Sequence, residues 1–241
     1  MRSVRLSSGE VVPVPQIIAI DGTAASGKST LGKNLAEWLG FLYFDTGVMY
    51  RALTWLVLQN RYSVEDEQAV TSLAEQALID VRPPSKTDGR AYDVWIEGTD
   101  VTWEIRAPNV DANVSIISAY PGVRKALTSQ QRRIGLRGRV VMVGRDIGTV
   151  VLPEANLKVF LDAKVEERAR RRFEEMRARG ENASLPAIKA SMLERDRIDS
   201  TRTVAPLRPA QNAVIIHTED LDAVQVLERI KHLVLQHASQ E

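Results

Sequence analysis

The chain has 241 residues, 44% hydrophobic and 26% charged, with 32 Lys and Arg against 31 Asp and Glu, for a net charge of +1. That length suits one globular unit with inserted subdomains and an ample core, and so even a charge balance argues against a general nucleic-acid binder, so any cationic site must come from local clustering. Cysteine is absent and histidine numbers three, which excludes disulfides, thiol catalysis and thiolate metal centres and argues against a His-rich metal site.

Residues 1–16, MRSVRLSSGEVVPVPQ, lack the apolar core of a secretory signal. No apolar run in the chain approaches the ~20 residues that span a bilayer. The segment reads as a short, flexible extension on a cytoplasmic protein. Ile17 to Ile20 is a short apolar run, read as a buried strand, that enters a Gly-rich turn. Leu31, Leu35, Trp38 and Leu39 then fall at helical spacing, and Gly40 ends the helix. Phe41 to Phe44 reads as a second strand, and Asp45 or Thr46 can cap a helix through Met49, Leu53 and Leu56 to about Leu58.

A further helix is predicted from Ser63 to Ile79. Residues 80–103 change character: Arg82 to Gly89 is turn material, and YDVWIEGTDVTW alternates with Gly98 at a hairpin, which suggests a small antiparallel insertion. Helices follow over 104–135, broken at Pro108 and at Pro121-Gly122. Arg139 to Val143 and Leu157 to Leu161 are strand-like. A basic helix occupies 164–179 with the stripe Val165, Ala169, Phe173 and Met176, and Gly180 and Pro186 bracket a loop. Another helix runs to about Asp199, Ala213 to His217 is a last strand, and Ala223, Leu227, Ile230 and Val234 stripe a last helix. Strands alternating with helices predict an α/β fold with a mostly parallel sheet flanked by helices.

The turn after the first strand holds Gly22, Thr23, Ala24, Ala25, Ser26, Gly27, Lys28, Ser29 and Thr30. It matches G-x-x-x-x-G-K-[ST], the P-loop, with a strand before it and a helix after it. Glycines let the backbone approach phosphate, successive N–H groups point inward, and the helix adds its positive end. Lys28 can reach the terminal phosphates of ATP and Ser29 can hold Mg²⁺. GTP switches and ATPases share this cradle, but no N-K-x-D run selects guanine, and the strand VVMVGRDIG at 140–148 ends in Gly-Arg-Asp rather than in a plain Asp.

Arginines near strand ends and turns suggest a second anionic substrate. Arg51, Arg145, Arg195 and Arg202 can converge on another phosphate, which the planar guanidinium binds in pairs of oxygens. Singly, each has a plainer explanation as a surface ion pair, except Arg145, whose place at the end of a buried strand demands a partner. Arg168, Arg170, Arg171 and Arg172 stand beside Glu166 and Glu167, either as a solvated helix with Glu–Arg pairs or as part of a mobile lid.

Taken together, the P-loop, FDTGVMYRAL, SIISAYPGVRKAL, VGRDIGTVVLPEANLKVFLDA, EERARRR and ERDRIDSTRTVAPL resemble the bacterial cytidylate kinases over about residues 17–235. The resemblance implies a single kinase domain over 17–241. Its core would be 17–60, 136–163 and 203–241, with a monophosphate-binding insertion at about 61–135 and a lid at about 164–190. It implies transfer of the γ-phosphoryl group of ATP to CMP or dCMP by a monomer that uses Mg²⁺ and binds neither nucleic acid nor membrane. Thr46, where the family often has Ser, would hold CMP with Tyr50 and Arg51. Ser115 and Arg124 would contact the base, Arg145, Arg195 and Arg202 the acceptor phosphate, and Asp199 the ribose. Lys28, Arg145, Arg195, Arg168 and Arg172 would form the catalytic set. Asp146 would either orient Mg²⁺ through water or anchor Arg145.

The chain departs from the family at Thr23, where Pro is common, and at Ile198, where another base can stand. It also departs at Val143, where an acid can accept a bond from the base amino group, which leaves strictness against UMP open while CMP and dCMP remain the expected acceptors. Other readings of the residues are a kinase for UMP, dTMP or a sugar acid, and a regulatory nucleotide-binding ATPase.

Overall fold

The computed structural model describes residues 3–5, 11–178, 180 and 182–237. The rest of the N-terminal extension, residues 179 and 181 and the last four residues lie outside them. Ser3–Arg5 (β1) and Val11–Pro13 (β2) form an antiparallel pair, with Val4 opposite Val12. The apolar run Ile17–Gly22 (β3) then starts the main sheet, and Gly40, at φ +62°, closes helix Lys28–Leu39 (α1) by sending its N–H back to Glu37. Leu42–Asp45 (β4) leads into Gly47–Gln59 (α2), where the Asp45 carboxylate accepts from the Gly47 amide at 3.0 Å.

The insertion contains Glu67–Gln76 (α3), Ile79–Arg82 (β5), Asp93–Ile96 (β6) and Thr99–Asp100 (β7), followed by Pro108–Ala119 (α4) and Pro121–Gly135 (α5). The helix predicted from Ser63 to Ile79 is shorter at both ends. Asp66 caps it at the start, accepting from Ala69, and Ala77 is already extended. Ile79 belongs to a strand because Ile79 and Val81 are buried on alternate positions and pair with Ile96 and Val94. The hairpin turns at Glu97 and Gly98 as predicted, both at positive φ. Arg90, almost fully buried, ties this small sheet together by bonding Asp88, Asp93 and Asp100.

Val140–Gly144 (β8), Leu157–Asp162 (β9) and Val214–His217 (β10) complete the main sheet, whose five strands run in the order β4-β8-β3-β9-β10, all parallel. Val165–Ala178 (α6), Leu185–Thr201 (α7) and Ala223–His237 (α8) are the remaining helices. Pro186 does not bound a loop. It sits in the first turn of α7, where its missing N–H costs no bond. The stripe of α8 is Val226, Ile230 and Val234 with Leu227 partly buried beside them, and Ala223 is exposed. A π-helical turn at Ile147–Val151 had no sequence signal.

The core is centred on β3, where Ile18, Ala19 and Ile20 are fully buried between β8 and β9, and Leu35 of α1 packs on it. The sheet therefore aligns the C-terminal ends of β3, β4 and β8 along one crevice. Leu35→Ala removes a fully buried side chain and is expected to cost about 2–5 kcal/mol, read as a lower urea midpoint with an unchanged slope.

Candidate active site

The first wall of the crevice is the turn after β3. A Cβ on Gly22 would stand 2.2 Å from the Leu161 carbonyl oxygen of β9, so the neighbouring backbone leaves room only for glycine. Ala25 at φ +58° and Gly27 at φ +92° bend the chain into α1. Lys28 is buried, and its ammonium donates to the Thr23 carbonyl oxygen and to Ser26 Oγ at 3.3 Å. Burial first, and the Arg145 charge second, push its pKa well below the usual lysine value. The Ser29 hydroxyl lies 3.4 Å from Asp45 Oδ2, at the end of β4. Asp45 entered the sequence reading only as a helix cap.

The opposite wall carries a chain of alternating charges. Arg145 at the end of β8 bonds Asp199 of α7 at 2.9 Å. Asp199 lies 3.7 Å from Arg202, Arg202 lies 3.6 Å from Asp146, and Asp146 accepts from Arg124 of α5 at 2.9 Å. The two alternatives for Asp146 are thereby corrected on one count: the carboxylate that holds Arg145 is Asp199, while Asp146 holds Arg124. Arg124 stacks 5.7 Å over the ring of buried Tyr50. Arg124 Nε and Arg202 Nη2 are buried with no hydrogen-bond partner among the described residues. Burial, and then Arg124, lower the Arg202 pKa.

Arg51 pairs with Asp111 of α4 and donates to the Ile105 carbonyl at 3.2 Å. Thr46 turns its hydroxyl to the Val143 carbonyl at 3.1 Å, so it fastens β4 to β8. Ser115 is an exposed residue of α4 lining the cleft. Arg195 opens onto the cleft, and among the described residues no carboxylate lies within ion-pair distance of it. Desolvation by the surrounding cleft, and then Arg145, lower its pKa. The Val143 side chain is buried against α1, where a Cβ on Gly32 would meet its Cγ2 at 2.5 Å. It packs in the core, while the acid that reaches Arg124 is Asp146.

Helices α6 and α7 roof the cleft. Arg168 is buried, bonding the Ala24 carbonyl of the P-loop at 3.2 Å, the Ala163 carbonyl at 2.8 Å and Asp196 of α7 at 2.5 Å. Lys189 and Glu166 join the two helices at 2.7 Å. Arg172 is half-buried and pairs with Glu175, and Arg170 pairs with Glu167 and Glu174, all of them along the rim of the cleft. The basic helix thus combines ordinary surface pairs with one buried arginine that holds α6 to both the loop and α7. The two walls and this roof enclose a cleft of about 1870 Å³, well above the ~300–1,000 Å³ of a single small-molecule pocket.

Asp21 was not singled out by the sequence reading. It is 4% exposed, and its carboxylate accepts from the amides of Ile147 at 2.8 Å and Gly148 at 2.7 Å. Burial raises its pKa to about 6. The Gly148 and Ile147 bonds and Lys28 pull it down, and Asp146 pushes it up. An acid closing the apolar run IIAI was the available signal, since a buried carboxylate requires partners.

Residues 18–236 match the family model described as cytidylate kinase. The cytidylate kinase of Roseiflexus castenholzii is 51% identical over 88% of this chain and 90% of its own length, and that of Chloroflexus aggregans is 52% identical over 86% and 89%. The cytidylate kinase of Herpetosiphon aurantiacus is 47% identical over 91% of this chain and 94% of its own. The chain belongs to the cytidylate kinase family.

The Asp21 shift has a signed consequence. Its folded pKa lies above the unfolded carboxylate value of ~3.9, so between about pH 4 and 6 the folded protein binds the extra proton and this group's contribution to stability grows as pH falls. Wild type is expected to gain about 2–3 kcal/mol on Asp21→Asn between neutral pH and pH ~4, measured as the difference between their urea unfolding free energies.

Proposed function

We propose that this chain passes the γ-phosphoryl group of ATP to CMP or dCMP, giving ADP and CDP or dCDP, with the two nucleotides facing each other across the cleft. The observation that carries this reading is the pairing, in one cleft, of a P-loop with a separate arginine network on the opposite wall. A hydrolase of ATP has no use for the second wall. The same reading takes the working unit to be a monomer. No helix among the described residues is long and apolar enough to cross a membrane.

On the donor side, residues 22–30 take the triphosphate with their amides, and Lys28 leaves Thr23 and Ser26 for the terminal phosphates. Mg²⁺ keeps most of its shell as water and phosphate oxygens and asks the protein for one or two oxygens. Ser29 and Asp45, 3.4 Å apart, fit that demand better than Asp146, which is engaged by Arg124. Bound there, Mg²⁺ offsets negative charge on the phosphates.

On the acceptor side, the monophosphate has a second pKa near ~6 and is mostly a dianion at neutral pH. No general base is needed, and the chemistry reduces to alignment and charge compensation. Arg51, Arg145 and Arg195 hold the acceptor phosphate, Asp199 with Arg202 the ribose end, and Thr46 and Tyr50 the floor of the site. Ser115 closes the base side. The Asp146–Arg124 pair presents an acceptor beside donors, the complement of cytosine's amino group and its N3 and O2. Uracil keeps the O2 acceptor but reverses the other two groups, and would set its O4 carbonyl against the carboxylate. Arg168 keeps the roof attached to the loop, and Arg172 reaches the donor from α6.

ADP formation measured with CMP, dCMP, UMP, AMP, dTMP or no acceptor tests the reading. Turnover is expected with CMP and dCMP well above the rest, and equal ADP release without acceptor would sink it. Lys28→Ala is expected to lower kcat by roughly 10²–10³-fold with the thermal midpoint retained. Asp45→Asn is expected to raise the Mg²⁺ concentration for half-maximal rate while the KM for CMP holds.

A further inference from the structure

Asp146 opens the π-helical turn Ile147–Val151 from the N-cap position, yet its side chain makes no capping bond. An aspartate in that position ordinarily turns its carboxylate onto the first free amides of the turn. Of the two amides such a cap accepts from, those of Gly148 and Thr149, the Gly148 amide is taken by Asp21 of the neighbouring strand, whose carboxylate also accepts from Ile147. The register makes this possible, since Asp21 lies opposite Gly144, two residues before Asp146. Gly144 keeps the turn tight, because a Cβ there would meet Ile147 Cδ1 at 2.6 Å and Thr46 Oγ1 at 2.8 Å. With the first two amides of the turn held by another strand, the Asp146 carboxylate points the other way, to Arg124 at 2.9 Å and Arg202 at 3.6 Å.

We infer that Asp21 is a positioning residue for the acceptor site: by capping the turn after β8 from β3, it leaves Asp146 free to hold Arg124 and Arg202 where the monophosphate nucleotide binds. Asp21 touches neither substrate and acts through Asp146. The charged groups around it are Asp146 on the turn, Lys28 on α1 and Lys158 on β9. Lys158 lies beside Gly148 and donates to Asn212 at 2.9 Å. A charged carboxylate held in so buried a place serves the turn better than it serves stability. Neutralising it is therefore compatible with folding.

The test is Asp21→Asn. Asparagine keeps one acceptor oxygen and sets amide hydrogens against a backbone donor, so one turn amide is released and Asp146 is drawn back to cap it. Calorimetry at neutral pH is expected to show the CMP dissociation constant rising roughly tenfold or more while that of ATP stays at the wild-type value. On an Asp146→Asn background, Asp21→Asn is expected to add no further loss. Unchanged CMP affinity, or equal loss for CMP and ATP, overturns the inference. If the variant does not fold, NMR of the wild type without nucleotide decides. On acidification, the amides of Arg145, Asp146, Ile147 and Gly148 are expected to shift together with one midpoint at about 6. Arg145 and Asp146 amides that ignore that transition overturn it equally.

The inference rests on the acceptor-side reading above, and Asp146→Asn separates the two. If Asp146→Asn leaves CMP binding intact, that reading fails. If it weakens CMP binding and Asp21→Asn does not, the Asp21 inference fails alone.

Discussion

The governing constraint on this molecule is the gathering of many guanidinium groups into one cleft before any anion arrives to neutralise them. Like charges brought together in a partly desolvated space repel strongly. The chain meets this by assigning the arginines aspartates as provisional partners: Arg51 has Asp111, Arg145 has Asp199, Arg124 has Asp146 and Arg168 has Asp196. The near-neutral composition, which at first sight argued only against nucleic acid, is the global trace of this local pairing. It also explains why the partners come from different elements. Arg145 and Asp146, just past the end of β8, meet Asp199 of α7 and Arg124 of α5, while Arg51 of α2 meets Asp111 of α4 and Arg168 of α6 meets Asp196 of α7.

The pairing also links regions that fold topology keeps apart. Asp199 and Arg202 belong to the roof, Arg145 and Asp146 to the sheet, and Arg124 to the inserted region. A nucleotide that competes for any one member changes the options of the next, because each aspartate between two arginines serves both. The donor wall has its own connection through Arg168, which joins the P-loop carbonyl of Ala24 to both roof helices. The two walls of the cleft thus meet in α6 and α7.

The parts legible in sequence were those whose physics is local. The P-loop is a short run whose glycines and lysine act through their own backbone, and the insertion announced itself by turn residues and alternation. The partners of the arginines were not legible, since Arg145 and Asp199 stand 54 positions apart and no periodicity reports which acid meets which base. Strand β8 is buried at every position, so its apolar run gave no sign that Val143 turns toward α1. Asp21 was passed over for the same reason: on a strand covered on both faces, its bonds run sideways to a turn 126 residues downstream. Ile79 shows the reverse case, a helix-compatible residue drawn into a strand by the pairing that waits for it.

Arg195 stands apart from this economy of pairs. It opens onto the cleft with no carboxylate at ion-pair distance among the described residues, so its field reaches solvent while the other charges are largely cancelled at short range. Mobile ions screen such an open charge over about 8–10 Å but act far less on buried pairs. Ionic strength therefore bears on the arrival of a nucleotide at the mouth of the cleft, and much less on the readiness of the machinery inside it.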